Sequence, residues 1–157
     1  MLGEYFRLAL ISALGILLIV AAVTDLRSRI ISNRLNLIVA ALAPLWWVAC
    51  GLDMWPGMAV QLLVGGAVFV LFAMLFAVGM MGGGDVKLLA AIALWFPWQA
   101  VLSLLVLMAL IGGVVTLVTV VHHRMSRRIG QPEIPYGIAI SFAALWLLGE
   151  RYLNHFA

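Results

Sequence analysis

Charged residues in this chain gather at a few points and leave long apolar runs between them. Leu8–Thr24, Leu35–Leu52, Met54–Gly84, Leu88–His123 and Ile134–Gly149 carry no Asp, Glu, Lys or Arg. A helix needs about 20 apolar residues to cross a bilayer, so the pattern predicts an all-α, polytopic integral membrane protein. The run from Leu88 to His123 is 36 residues, roughly 54 Å as one helix, against a hydrocarbon core of about 30 Å. It is expected to fold as two. Pro97 supplies the break, and Trp95, Phe96, Trp98 and Gln99 around it read as an aromatic turn at the membrane interface. Six spans follow, at about 6–24, 35–52, 57–79, 86–96, 99–121 and 136–153.

The positive charges test this count. With six spans, Arg27, Arg29, Arg34, Lys87, Arg124, Arg127 and Arg128 share one face and Arg7 and Arg151 the other, seven against two. A five-span chain would divide them five against four. Loops rich in Lys and Arg stay in the cytoplasm, so six spans is preferred, with both termini outside. Gly65-Gly66 and Gly112-Gly113 offer small surfaces where helices can approach closely, or are ordinary membrane-helix glycines. No internal repeat, low-complexity tract or dividing linker interrupts residues 1–157, which read as a single domain.

Composition excludes other classes. The 157 residues are 66% hydrophobic and 10% charged, with a mean hydropathy of +1.20, whereas soluble domains carry about 25% charged residues. The net charge of +3 resides in short connectors, where it acts as a topology signal, and no nucleic-acid partner is expected. One cysteine, Cys50, forms no internal disulfide, and no Cys pair suits zinc. Neither a metal nor a cofactor is expected. Residues 1–24 carry an apolar run longer than the usual 7–15 or so of a signal peptide and are read as a retained first span.

Six acidic residues are present. On this frame Glu4, Asp53 and Glu150 lie outside, where water solvates them. Asp25 and Asp85 each lie at the cytoplasmic end of an apolar span, sixty positions apart. An ionisable group near membrane depth costs about 2.5–3.5 kcal/mol at a helix centre and less towards the interface. Each aspartate alone could pair with an arginine or cap a helix. Together they suggest a dyad: two carboxylates in a low-dielectric site cannot both ionise comfortably, so one keeps a proton while the other acts as base. Such a pair can activate water against a peptide carbonyl. Gly82, Gly83 and Gly84, just before Asp85, either form a simple turn or leave room for an extended substrate backbone.

Three stretches then resemble the type IV prepilin peptidases, membrane aspartyl proteases of the GxGD class, and most of all the short peptidase-only forms of Tad/Flp pilus systems. "TDLRSRIISNRLN", residues 24–36, resembles the first catalytic block, an aspartate followed by basic residues and an I-P-N-like turn. "GGGDVKLLAA", residues 82–91, resembles the GxGD motif with its lysine, and "IPYGIAI", residues 134–140, the late proline-tyrosine-glycine segment. The resemblance implies that Asp25 and Asp85 are the catalytic pair of an aspartic endopeptidase of the bacterial inner membrane. It implies removal of a short basic leader from a prepilin or pseudopilin at the cytoplasmic face. Pilus assembly machinery and membrane lipid are the other partners it suggests.

Around the pair, Lys87 either favours ionisation of the dyad or anchors to lipid phosphate. Asn33 holds a turn or the substrate backbone, and Pro135, Tyr136 and Gly137 shape the start of the last helix. Ser32 stands where the first block usually has proline, an exchange expected to loosen that turn. Larger relatives carry a cytosolic insertion with paired cysteines and methylate the cleaved pilin. Here the first connector is about ten residues and the one cysteine is elsewhere, so no methyltransferase activity is expected. The alternative from another class is a small proton-coupled transporter or channel subunit in which the same aspartates relay protons.

Overall fold

The computed structural model describes residues 2–125 and 136–153. Six α-helices make up its regular structure, and there is no strand among the described residues: α1 (Leu2–Ser28), α2 (Asn33–Ala49), α3 (Ala59–Ala77), α4 (Gly83–Ala93), α5 (Trp98–Met125) and α6 (Tyr136–Leu153). A kinked turn, Met54–Met58, leads into α3 with Trp55 extended.

Each helix end has a local cause. Arg29 closes α1 in the left-handed region at φ 55°, with its N–H donating to the Asp25 carbonyl at 3.0 Å. Gly79 does the same after α3 at φ 75°, a conformation that favours glycine because a Cβ would crowd the carbonyl. At the start of α2 the Ser32 hydroxyl accepts from the Leu35 N–H at 3.2 Å. The serine therefore does not loosen its turn. Its φ of −68° is one a proline would also take, and its side chain adds a helix cap that proline lacks.

Three of the helices are long and apolar enough to cross a membrane: Gly3–Ser28, Met54–Ala77 and Trp98–His122. They hold much of the outward apolar surface, such as Ile16 and Ile19 on α1, Leu63 and Val70 on α3, and Val106 and Leu110 on α5, all exposed. Between and behind them lie shorter helices. The stripe Leu10, Leu14, Leu18 and Ala21 on α1 is buried, and α1 packs on α6, whose Ala139, Ile140, Ala143 and Ala144 are also buried.

The middle of the bundle belongs to α4, which packs against α2, α3 and α6. Val86, Leu88, Leu89, Ala91, Ile92 and Ala93 are all buried. Eleven residues make only about 16 Å of helix, so α4 stops well short of a full crossing. For that reason the turn after it differs from the expected interfacial one. Trp95 and Phe96 are 2% and 0% exposed, inside the bundle, and Trp98 alone of the three is exposed. The break at Pro97 falls as expected, between α4 and α5.

One glycine of each expected close-packing pair is used. A Cβ on Gly65 would collide with the Leu94 side chain, and one on Gly112 would lie 3.5 Å from the Tyr136 ring. Gly66 and Gly113 face open space.

Candidate active site

The C-terminal end of α1 and the N-terminal ends of α2, α4 and α6 meet at one end of the bundle. Asp25 lies in the last turn of α1 and is 5% exposed. Its Oδ2 accepts from the Ile138 N–H at 3.2 Å. The N–H groups of a first helical turn have no intrahelical partner, so the start of α6 serves as a donor cradle for this carboxylate. Gly137, buried beside it, makes the approach possible: a Cβ there would stand 2.9 Å from both Cγ and Oδ2 of Asp25.

Asp85 lies in the first turn of α4, three residues after the N-cap Gly82. Its carboxylate turns back towards Gly82, as the side chain at this position of a capping box does. A Cβ on Gly82 would stand 2.8 Å from Asp85 Oδ2. Asp25 at the end of α1 and Asp85 at the start of α4, sixty positions apart in sequence, thus lie at the same end of the bundle.

Side chains from α2 and its leading turn hold the two halves in register. Asn36 is buried and donates through Nδ2 to the Gly84 carbonyl at 3.1 Å. Lys87 Nζ donates to Asn33 Oδ1 at 2.9 Å, tying the starts of α4 and α2 rather than contacting Asp85. Ile31, buried, packs between them: a Cβ on Gly84 would lie 3.2 Å from the Ile31 carbonyl oxygen, and one on Gly137 2.6 Å from Ile31 Cδ1. The space beside the third glycine, Gly83, is filled by the Phe76 ring, 3.3 Å from where a Cβ would stand.

Of the residues singled out in the sequence, the structure gathers Asp25, Asp85, Gly82, Gly83, Gly84, Gly137, Asn33 and Lys87 at this end. Tyr136 lies against Gly112 of α5. Pro135 lies outside the described residues, as do Arg127, Arg128 and Glu133. Ile31, Asn36 and Phe76 were missed. Asn36 had a signal, being the one side-chain amide in the apolar run Leu35–Leu52; Ile31 and Phe76 had none, since an apolar residue filling a glycine gap looks like any other. Arg27, Arg29, Arg34 and Lys87 cluster at the aspartate end, with Arg7 and Arg151 at the far one. Among the described residues no three His, Cys, Asp or Glu are grouped as metal ligands would be.

A helical bundle with three membrane-length helices and two aspartates converging at one end defines a polytopic membrane protein with a carboxylate pair as its candidate site. The type IV leader peptidase family model matches residues 12–117, a span that includes both aspartates. The chain belongs to the type IV leader peptidase family. No curated protein and no solved structure matches it.

Proposed function

We propose that this protein is an aspartic endopeptidase of the bacterial inner membrane that removes the short leader of type IV, Tad/Flp-like prepilins or pseudopilins, with Asp25 and Asp85 as its dyad. The observation that carries this is the convergence of the two aspartates from α1 and α4 at one end of the bundle, in a chain of the leader peptidase family. In this reading residues 1–157 form a single domain and the pair works at the cytoplasmic face, a side supported by the excess of Lys and Arg at that end.

One carboxylate, ionised, takes a proton from a water molecule as the oxygen attacks the scissile carbonyl carbon. The other, protonated, hydrogen-bonds the carbonyl oxygen and passes it its proton, giving a tetrahedral diol. The first then gives the proton taken from water to the amine as the C–N bond breaks, and the second recovers a proton from a diol hydroxyl. The two protons belong to the pair rather than to either residue. No covalent intermediate and no cofactor enters this scheme. Gly82, Gly83, Gly84, Asn33, Lys87, Pro135, Tyr136 and Gly137 shape the site. A proton relay across the membrane needs carboxylates reaching towards both faces, and the grouping of Asp25 and Asp85 at one end lends it no support.

Coexpression with a candidate prepilin tests the proposal. Leader removal should be lost in Asp25→Ala and in Asp85→Ala with membrane insertion unchanged; continued processing by both variants overturns the dyad. The purified protein should not transfer a methyl group from S-adenosylmethionine to the cleaved pilin.

A further inference from the structure

At the end of the bundle away from the aspartates, the shortness of α4 leaves a well. The C-terminal ends of α2, α4 and α6 and the turn leading into α3 surround a cavity of about 420 Å³ lined by Trp46, Trp47, Trp95, Trp98, Tyr152 and Gln61, among others. Its rings are fixed in place. Trp46 stacks on Trp95 with centroids 6.0 Å apart and meets Tyr152 edge-on at 5.4 Å. Trp47 Nε1 donates to the Leu94 carbonyl at 2.7 Å, and Trp95 Nε1 to the Val39 carbonyl at 2.9 Å.

In this apolar setting Gln61 is anomalous. It is 8% exposed, it lines the cavity, and its Oε1 has no hydrogen-bond partner among the described residues. A buried amide oxygen without a donor is costly, so the site is built to receive an N–H group. Aromatic faces around a cavity attract a cation by their quadrupoles. Positive charge sits nearby as well: exposed Arg7 donates to the carbonyl of Ala49, beside the lining residue Cys50, at 2.8 Å, and exposed Arg151 precedes Tyr152. A ligand with one ammonium for the well and one anionic group for the arginines satisfies all of these features.

We propose that this well binds the head group of an aminophospholipid of the phosphatidylethanolamine class. The ammonium donates to Gln61 Oε1 among the indole faces, and the phosphate meets Arg7 and Arg151. The location agrees: exposed Trp98 lies at the start of α5, one of the membrane-length helices, at head-group depth where Trp and Tyr concentrate. The well reaches inward from there to the end of α4. A primary ammonium is selected over a quaternary one because only the former has N–H groups for the amide oxygen. The acyl chains lie along the outward apolar faces of the bundle.

Native mass spectrometry of the purified full chain tests this, using palmitoyl-oleoyl phosphatidylethanolamine, phosphatidylcholine with the same chains, and water-soluble glycerophosphoethanolamine. The ethanolamine lipid should bind about tenfold more tightly than the choline lipid. Gln61→Leu, which keeps the volume and removes the orphan amide, should erase that difference. Trp98→Leu, at a ring 52% exposed and outside the core, should weaken the ethanolamine lipid severalfold. Equal binding of the two lipids to the wild type, or a preference that survives Gln61→Leu, overturns the proposal. Glycerophosphoethanolamine competing as well as the intact lipid overturns the assignment to lipid.

Discussion

Gly137→Ala adds one methyl group at the point where α6 cradles Asp25. The new Cβ would stand 2.6 Å from Ile31 Cδ1 and 2.9 Å from Asp25 Cγ and Oδ2, whereas carbon atoms in good contact lie about 3.5–4.0 Å apart. Relief therefore requires a movement of about 1 Å, shared between the isoleucine and the carboxylate. Overpacking of this kind costs about 1–3 kcal/mol of stability. If Asp25 is half of the dyad, a misplacement of about 1 Å lowers the rate by about 100-fold.

The two contacts can be separated. Ile31→Val removes the Cδ1 methyl and leaves Asp25 untouched, at a cost of about 0.5–1.5 kcal/mol on its own. Combined with Gly137→Ala it should recover part of the lost stability in a detergent-solubilised thermal unfolding assay. It should recover little of the leader-removal rate, because the clash at the carboxylate persists. Full activity in Gly137→Ala, or full recovery of activity by Ile31→Val, would refute the reasoning.

Asn36→Leu removes a hydrogen bond of about 1 kcal/mol to Gly84 together with the unpartnered Oδ1 of the same side chain. Its unfolding temperature should hold or rise while cleavage slows by about tenfold as the turn before Asp85 loosens; an unchanged rate would remove Asn36 from the site. Gly65→Ala should lose about 1–3 kcal/mol by collision with Leu94. Gly66→Ala, one residue on and facing open space, should gain up to about 1 kcal/mol from helix propensity; thermal unfolding of the two variants should move in opposite directions.

The helices and their breaks were legible because lipid imposes a simple rule. Charges fall near helix ends, so Arg27, Arg34 and Lys87 mark three of them and Pro97 marks the break inside the longest uncharged run. Helix length was less legible. Val86–Ala93 is as apolar as a spanning segment, and nothing in its composition says that protein rather than lipid surrounds it; only the packing of α2, α3 and α6 shows this. The site was partly legible, since Asp25 and Asp85 are ionisable groups where lipid disfavours them. The glycines before Asp85 read as a turn or as room for a substrate backbone, whereas the protein's own Asp85, Phe76 and Ile31 lie beside them. The contacts of Ile31 with Gly84 and Gly137 join segments far apart in sequence and have no local signal. The cap on α2 illustrates the same limit, because Ser32 looked like a missing proline until its hydroxyl was seen on the Leu35 N–H.

The burial of α4 also bears on how the protein is made. A segment of eleven residues with Asp85 and Lys87 in its first two turns is a poor candidate for independent entry into a bilayer. Two of its packing partners, α2 and α3, precede it during synthesis, but the third, α6, follows only after α5. That same helix supplies the Ile138 N–H on which Asp25 rests. The nascent chain thus holds both aspartates while α5 is being made, before the helix on which Asp25 rests exists. Assembly of the candidate site is deferred to α6, so a polypeptide halted before Tyr136 carries both aspartates but lacks the Ile138 N–H that holds Asp25.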